Sequence, residues 1–172
     1  IRAEQVEAIK VKGIKELLHM CNASPQHLVD AQFSLPYNLA MLVLGKQPGL
    51  EWASPANYGD PLVKRVASKV VIEHDPEADA AAQASKSGAM PARVEVATGE
   101  GTFSAEVREP SGGPRNPVTM SQVVDKFHNM TRDSLTPRKR EQVLSYIEGL
   151  DRMDAVSPLM LLLRKKQTRR AS

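Results

Sequence analysis

Ser34 and Tyr37 stand three residues apart in Ser34-Leu35-Pro36-Tyr37, a segment that opens a helix by its own chemistry. The serine supplies an N-cap, and Pro36 follows in the first turn, where a missing N–H costs nothing. The free N–H groups and positive dipole end of such a start favour an anion, so both side chains are candidates for holding one. The plainer alternative is that Ser34 caps and Tyr37 packs. Arg115 lies in Ser111-Gly112-Gly113-Pro114-Arg115-Asn116. Consecutive glycines let N–H groups converge on an anion, and a guanidinium can grip a carboxylate through two parallel hydrogen bonds. Here the alternative is that Gly-Gly-Pro only turns a corner. His19 can act as an acid or base, its ordinary pKa of about 6.5 lying near neutrality; a lone histidine is more often structural. Cys21 has no activating neighbour in the sequence and reads as inert.

Other chemistries find no support. The chain has no phosphate-binding loop, dinucleotide fingerprint, H-E-x-x-H pair or Gly-x-Ser-x-Gly elbow. Its four histidines are scattered, and no metal site is expected. One cysteine in 172 residues excludes an internal disulfide framework. The longest apolar run, Pro158 to Leu163, is too short to cross a bilayer. No signal or transit peptide is recognisable, and Ile1 in place of Met suggests a processed product or a piece of something longer. A soluble protein of a reducing compartment is expected. Net charge is 23 − 20 = +3, but Arg164, Lys165, Lys166, Arg169 and Arg170 close the chain. Aromatics are only 4% of the chain, so the basic run reads as a solvated tail over 164–172 and nucleic acid is not expected as a partner.

The elements that must position these residues can be read from pattern. Val6 to Lys12 alternates apolar and charged residues, as a half-buried strand does. Ile14 to Met20 reads equally as helix or strand. Ser24-Pro25 and Ser34-Leu35-Pro36 both offer helix starts, the second running to Leu44 with Gly45 as its stop. Asp60-Pro61 opens a helix with Leu62, Val63, Val66 and Ala67 on one face. Val70 to His74 is β-branched and reads as a strand. Asp75 to Ala89 reads as a loop, with room for a short helix. Arg93 to Val96 and Phe103 to Val107 form a hairpin about Thr98-Gly99-Glu100-Gly101. After the rigid Pro110–Pro117 link come three helices. The first has a Thr119/Gln122 capping box and a buried Val123, Val124, Phe127, Met130 stripe. The second has a Thr136-Pro137 cap with Val143, Leu144, Ile147 and Leu150 on one side, and the third starts at Ser157-Pro158. The fold class is α+β, a mostly antiparallel sheet with helices packed on it, over residues 1–163.

Ala31-Gln32-Phe33-Ser34-Leu35-Pro36-Tyr37-Asn38-Leu39-Ala40 resembles the A-x-F-S-x-P-Y-x-x-A segment of the MmgE/PrpD family. Asp60-Pro61-Leu62-Val63 leading to Lys69-Val70, Gly113-Pro114-Arg115-Asn116-Pro117-Val118, Lys126-Phe127 and Leu150-Asp151 follow in the family's order. That family includes 2-methylcitrate dehydratase, cis-aconitate decarboxylase and iminodisuccinate epimerase. The resemblance implies a chorismate-mutase-like lid domain, the C-terminal part of a longer enzyme. An all-helical N-terminal domain would precede it, and the active site would lie in the cleft between the two. It further implies a small di- or tricarboxylate substrate, no metal or organic cofactor, no membrane partner, a homodimer at full length and a cytoplasmic location, or the mitochondrial matrix in a eukaryote. His19 falls where the decarboxylase branch has an active-site tyrosine, which makes a dehydratase-like lyase the first expectation and decarboxylation the weaker one. Epimerisation is a further alternative. Ser34, Tyr37 and Arg115 are the expected substrate-binding residues and His19 the expected catalytic one. A non-catalytic interaction module keeping the same fold, and a nucleic-acid binder acting through the basic tail, are the readings from other classes.

Overall fold

The computed structural model describes residues 1–164, which fall into two compact units, Ile1–Val118 and a second beginning at Thr119. The predicted basic tail lies, from residue 165 on, outside the described residues.

In the first unit, β1 (Val6–Gly13) is followed by a 3₁₀ helix at Lys15–Met20, then α1 (Leu28–Gln32), α2 (Leu35–Val43), α3 (Pro55–Gly59) and α4 (Pro61–Ala67). β2 (Val70–His74), α5 (Pro76–Ala84), β3 (Ala92–Thr98) and β4 (Gly101–Val107) complete it. The sheet order is β2-β1-β3-β4, with β1 parallel to β2 and the other two pairings antiparallel. The α+β class and the largely antiparallel sheet are therefore as expected from the sequence. The parallel pair arises because α1 to α4 intervene between β1 and β2, where a hairpin would have given an antiparallel pair.

Alternation along β1 sends Ile9 and Val11 into the core, 1% and 2% exposed. Val6 is also buried although it lies three residues from Ile9. The pairing with β3 slips between Val6 and Ala8, and this bulge restores Val6 to the inner face. Tyr37, Ala40 and Met41 of α2 and Val63, Val66 and Ala67 of α4 pack against these strand residues. Leu62, expected on the same face, is 48% exposed, since it sits in the first turn of α4 and points away from the core. Two glycines have a clear reason. Gly45 adopts a left-handed φ of 71° just past α2, and at Gly13 a Cβ would come within 3.1 Å of the Pro91 carbonyl oxygen.

Several local readings resolve. Ile14 to Met20 becomes the 3₁₀ helix, and Ser24-Pro25 starts no helix; α1 begins only at Leu28. Asp75 to Ala89, whose pattern reads as a loop with room for a short helix, contains a nine-residue helix, α5. Weak apolar periodicity hid it, but Asp75 accepts from Glu77 N–H at 3.0 Å with Pro76 next, a capped start.

The second unit contains α6 (Met120–Thr131), α7 (Pro137–Glu148) and α8 (Ser157–Leu163). Thr119 and Gln122 form the capping box, and Thr136 Oγ1 accepts from Lys139 N–H at 3.4 Å. Ser157 is the first residue of α8, without a side-chain cap. The predicted buried stripe of α6 is not buried. Val123 is 48% and Met130 39% exposed, while Val124 and Phe127 are half-buried. On α7 only Val143 is buried; Ile147 is exposed, as is Leu150 just beyond the helix. Amphipathic spacing marks a face able to bury; it does not supply the partner.

Candidate functional site

The start of α2 is built from the sequence upward. Ser34 accepts the Tyr37 N–H at 3.0 Å, the cap expected of a serine ahead of proline. Its hydroxyl hydrogen goes to the Asn22 carbonyl oxygen, and the side chain is fully buried. The Ser34 oxygen is thus committed within the fold on both its donor and acceptor sides. Asn22 follows the 3₁₀ helix that carries His19, so this one bond ties the His19 segment to the start of α2.

Tyr37 is 1% exposed, packs edge-on against Tyr58 with ring centroids 5.8 Å apart, and donates its hydroxyl to the Trp52 carbonyl at 2.8 Å. Burial first, and Tyr58 second, push its pKa up to about 12, so the phenol stays a hydrogen-bond donor across neutral pH. Tyr37 also lines a cleft of about 270 Å³ together with Gln32, Asn38 and Trp52. Gln32 and Asn38 flank the two residues singled out from sequence, and their proximity to the motif was the available signal for them.

His19 is exposed near the end of its 3₁₀ helix. Arg115 lies apart from Ser34 and Tyr37 in the bonding pattern. Its side chain is 69% exposed, and its guanidinium comes within 3.9 Å of Glu109, which Ser87 Oγ in turn contacts at 3.2 Å. The N–H groups of Gly112 and Gly113 do not converge on open space; they bond to Asn116 O at 2.8 Å and Pro110 O at 3.1 Å. The corner-turning alternative holds for these two glycines, because a tight loop consumes its own donors.

A histidine–carboxylate pair escaped the sequence reading. His74 Nε2 lies 2.6 Å from Asp79 Oδ2, and Asp79 Oδ1 accepts from Lys15 N–H at 3.0 Å. The Lys15 N–H first, then His74, hold the Asp79 carboxyl below its ordinary pKa. The pair spans a strand end and a helix whose existence was in doubt, so nothing in the linear pattern joined the two. Among the described residues no three His, Cys, Asp or Glu side chains gather as a metal cluster, and no helix is long and apolar enough to cross a membrane.

A four-stranded mixed sheet with α2 and α4 packed on β1, and a serine-capped helix start locked to the segment ahead of it, defines an α+β domain. The chain belongs to the MmgE/PrpD family: the model of the MmgE/PrpD C-terminal domain matches residues 1–152. No curated protein matches the sequence.

Proposed function

We propose that the chain is the lid domain of a longer MmgE/PrpD-type lyase acting on a small di- or tricarboxylate, most closely of the 2-methylcitrate dehydratase kind. The observation that carries this is the family match over residues 1–152, which takes in the His19, Ser34, Tyr37 and Arg115 positions together. An N-terminal helical domain supplies the other wall of the cleft and the greater part of the acid–base groups. In the reaction, a base removes the proton alpha to a carboxylate and the leaving group departs with acid assistance. Of the four residues, His19 and Arg115 have exposed side chains. His19 offers a proton or hydrogen bond, and Arg115 a two-pronged grip on a carboxylate. Ser34 and Tyr37 serve substrate binding by fixing the start of α2 and the wall of the Tyr37 cleft. No metal or organic cofactor is part of the proposal. The whole protein is a cytoplasmic homodimer in this reading.

The test is proton NMR of the full-length protein in deuterated buffer with 2-methylcitrate, citrate, cis-aconitate and iminodisuccinate. Turnover of one acid, or deuterium entering its alpha position, supports the proposal and names the reaction. Decarboxylation or epimerisation would move the assignment to another branch of the family. Silence on all four acids from a folded protein would favour the interaction-module reading. His19→Gln is expected to lower kcat by about 10²–10⁴ if the histidine transfers a proton. The 172-residue chain alone is expected to be inactive, since half the cleft is supplied elsewhere.

A further inference from the structure

The face of the sheet opposite Ile9 and Val11 carries charge in a definite order. Lys12 of β1 is in register with Glu73 of β2 on one side and Arg93 of β3 on the other, and Arg93 is in register with Glu106 of β4. Across the four strands the row reads acid, base, base, acid. Both acids are drawn to other cations: Glu73 pairs with Lys10 at 3.0 Å, and Glu106 with Arg108 at 3.0 Å. Lys12 and Arg93 remain side by side with no acidic partner within ion-pair distance among the described residues. Like charges directly opposite one another across two strands are unfavourable, and an anion between them removes the cost.

Space for that anion is present. A groove of about 450 Å³ is lined by the cations Lys12, Arg93 and Arg108 and by the carboxylates Asp75, Glu77 and Glu106, of which Glu106 is paired with Arg108. Ala78 and Ala81 of α5 also line it. Asp75 and Glu77 have no cation at ion-pair distance among the described residues and bear on what the groove can hold. Their charge repels an extended polyanion such as nucleic acid, whereas a compact anion can stay on the cation side. We infer that this groove binds a small carboxylate, held by the Lys12 ammonium and the Arg93 guanidinium. The fork of Arg93 matches a carboxylate's two oxygens, and Lys12 adds a point charge. This inference does not depend on the catalytic reading.

Succinate titrated into the 15N-labelled 172-residue chain, with chloride at matched ionic strength as the control, tests it. The Arg93 Nε–H and the amides of Lys12 and Arg93 are expected to shift saturably with succinate and not with chloride. Lys12→Ala and Arg93→Ala are each expected to weaken binding by about 10-fold or more, the loss of one charge-assisted hydrogen bond. Lys64→Ala removes an exposed cation of α4 that does not line the groove, and is expected to leave the affinity unchanged. Arg93→Gln, which keeps the side-chain bulk, replaces Arg93→Ala should the latter lose its dispersed amide spectrum. The absence of saturable shifts, an equal response to chloride, or an equal loss in Lys64→Ala would each overturn the inference.

Discussion

Every buried apolar residue of the described chain except Val143 lies in Ile1–Val118. There Val6, Ile9 and Val11 meet Tyr37, Met41, Val63 and Val66 in one cluster. In the unit beginning at Thr119, α6 and α7 have side-chain caps like those of α2, α4 and α5, yet Met120, Val123, Ile147, Met160 and Leu161 are all 48% exposed or more. Capping and core formation are therefore separable here. The first unit has both, and the second has local helix signals with little buried apolar surface within it. Helical stability in proteins comes mainly from packing an apolar face, so the two units should respond very differently to the same kind of substitution.

Core truncation should show the largest contrast. Met41→Ala, in a fully buried position, is expected to cost about 2–5 kcal/mol in urea unfolding. Ile147→Ala, on a side chain 50% exposed, should fall within roughly 0.5 kcal/mol, as surface changes do. Equal losses would mean that the exposed face of α7 is packed in solution. Cap removal sharpens the comparison at the next level. Ser34→Ala loses the cap and the bond to Asn22 together and should cost about 2 kcal/mol, the upper end of cap effects, read as global unfolding. Thr119→Ala should cost about 1 kcal/mol or less, seen as faster amide exchange confined to α6. A protein-wide exchange change in Thr119→Ala would break the comparison.

Two pH responses give smaller effects, both from the first unit. The folded-state pKa of Tyr37 is raised to about 12, above its ordinary value of about 10. The associated stability is full below pH 10 and lost as pH climbs from there through 12, because the unfolded chain ionises first. Tyr37→Phe should flatten that alkaline limb of the unfolding curve. Asp79 is shifted the other way, so its contribution is present above the ordinary carboxylate pKa and fades as pH falls through the depressed folded value. Asp79→Asn should soften the acid limb, and an unchanged limb would place the Lys15 and His74 contacts outside the folding equilibrium.

How much of the candidate site was legible follows the same division. The Ser34 cap, the helix it opens and its stop at Gly45 could be read because each depends on residues within a few positions of one another. That the Ser34 hydroxyl also bonds Asn22 O, twelve residues back, could not, and this is what makes the side chain a structural tie rather than a free anion ligand in this conformation. Arg115 was recognisable as a cation in a rigid Gly- and Pro-rich link. The consumption of the neighbouring glycine N–H groups by Asn116 and Pro110 depended on the loop's closed shape.

By itself the sequence determined the strand alternation of Val6–Lys12, the hairpin about Gly99-Glu100, the Thr119/Gln122 capping box, the proline-led starts of α2, α4 and α7, and the motif order that marks the family. These are short-range effects, governed by backbone sterics and hydrogen bonds between near neighbours. The tertiary structure alone decided that Val6 joins the core through a bulge and that Met130 and Ile147 stay exposed. It also set Lys12 beside Arg93 while their flanking acids turn to Lys10 and Arg108. Burial and charge pairing depend on what another part of the chain brings to the same place, and a linear pattern shows a face without showing its partner.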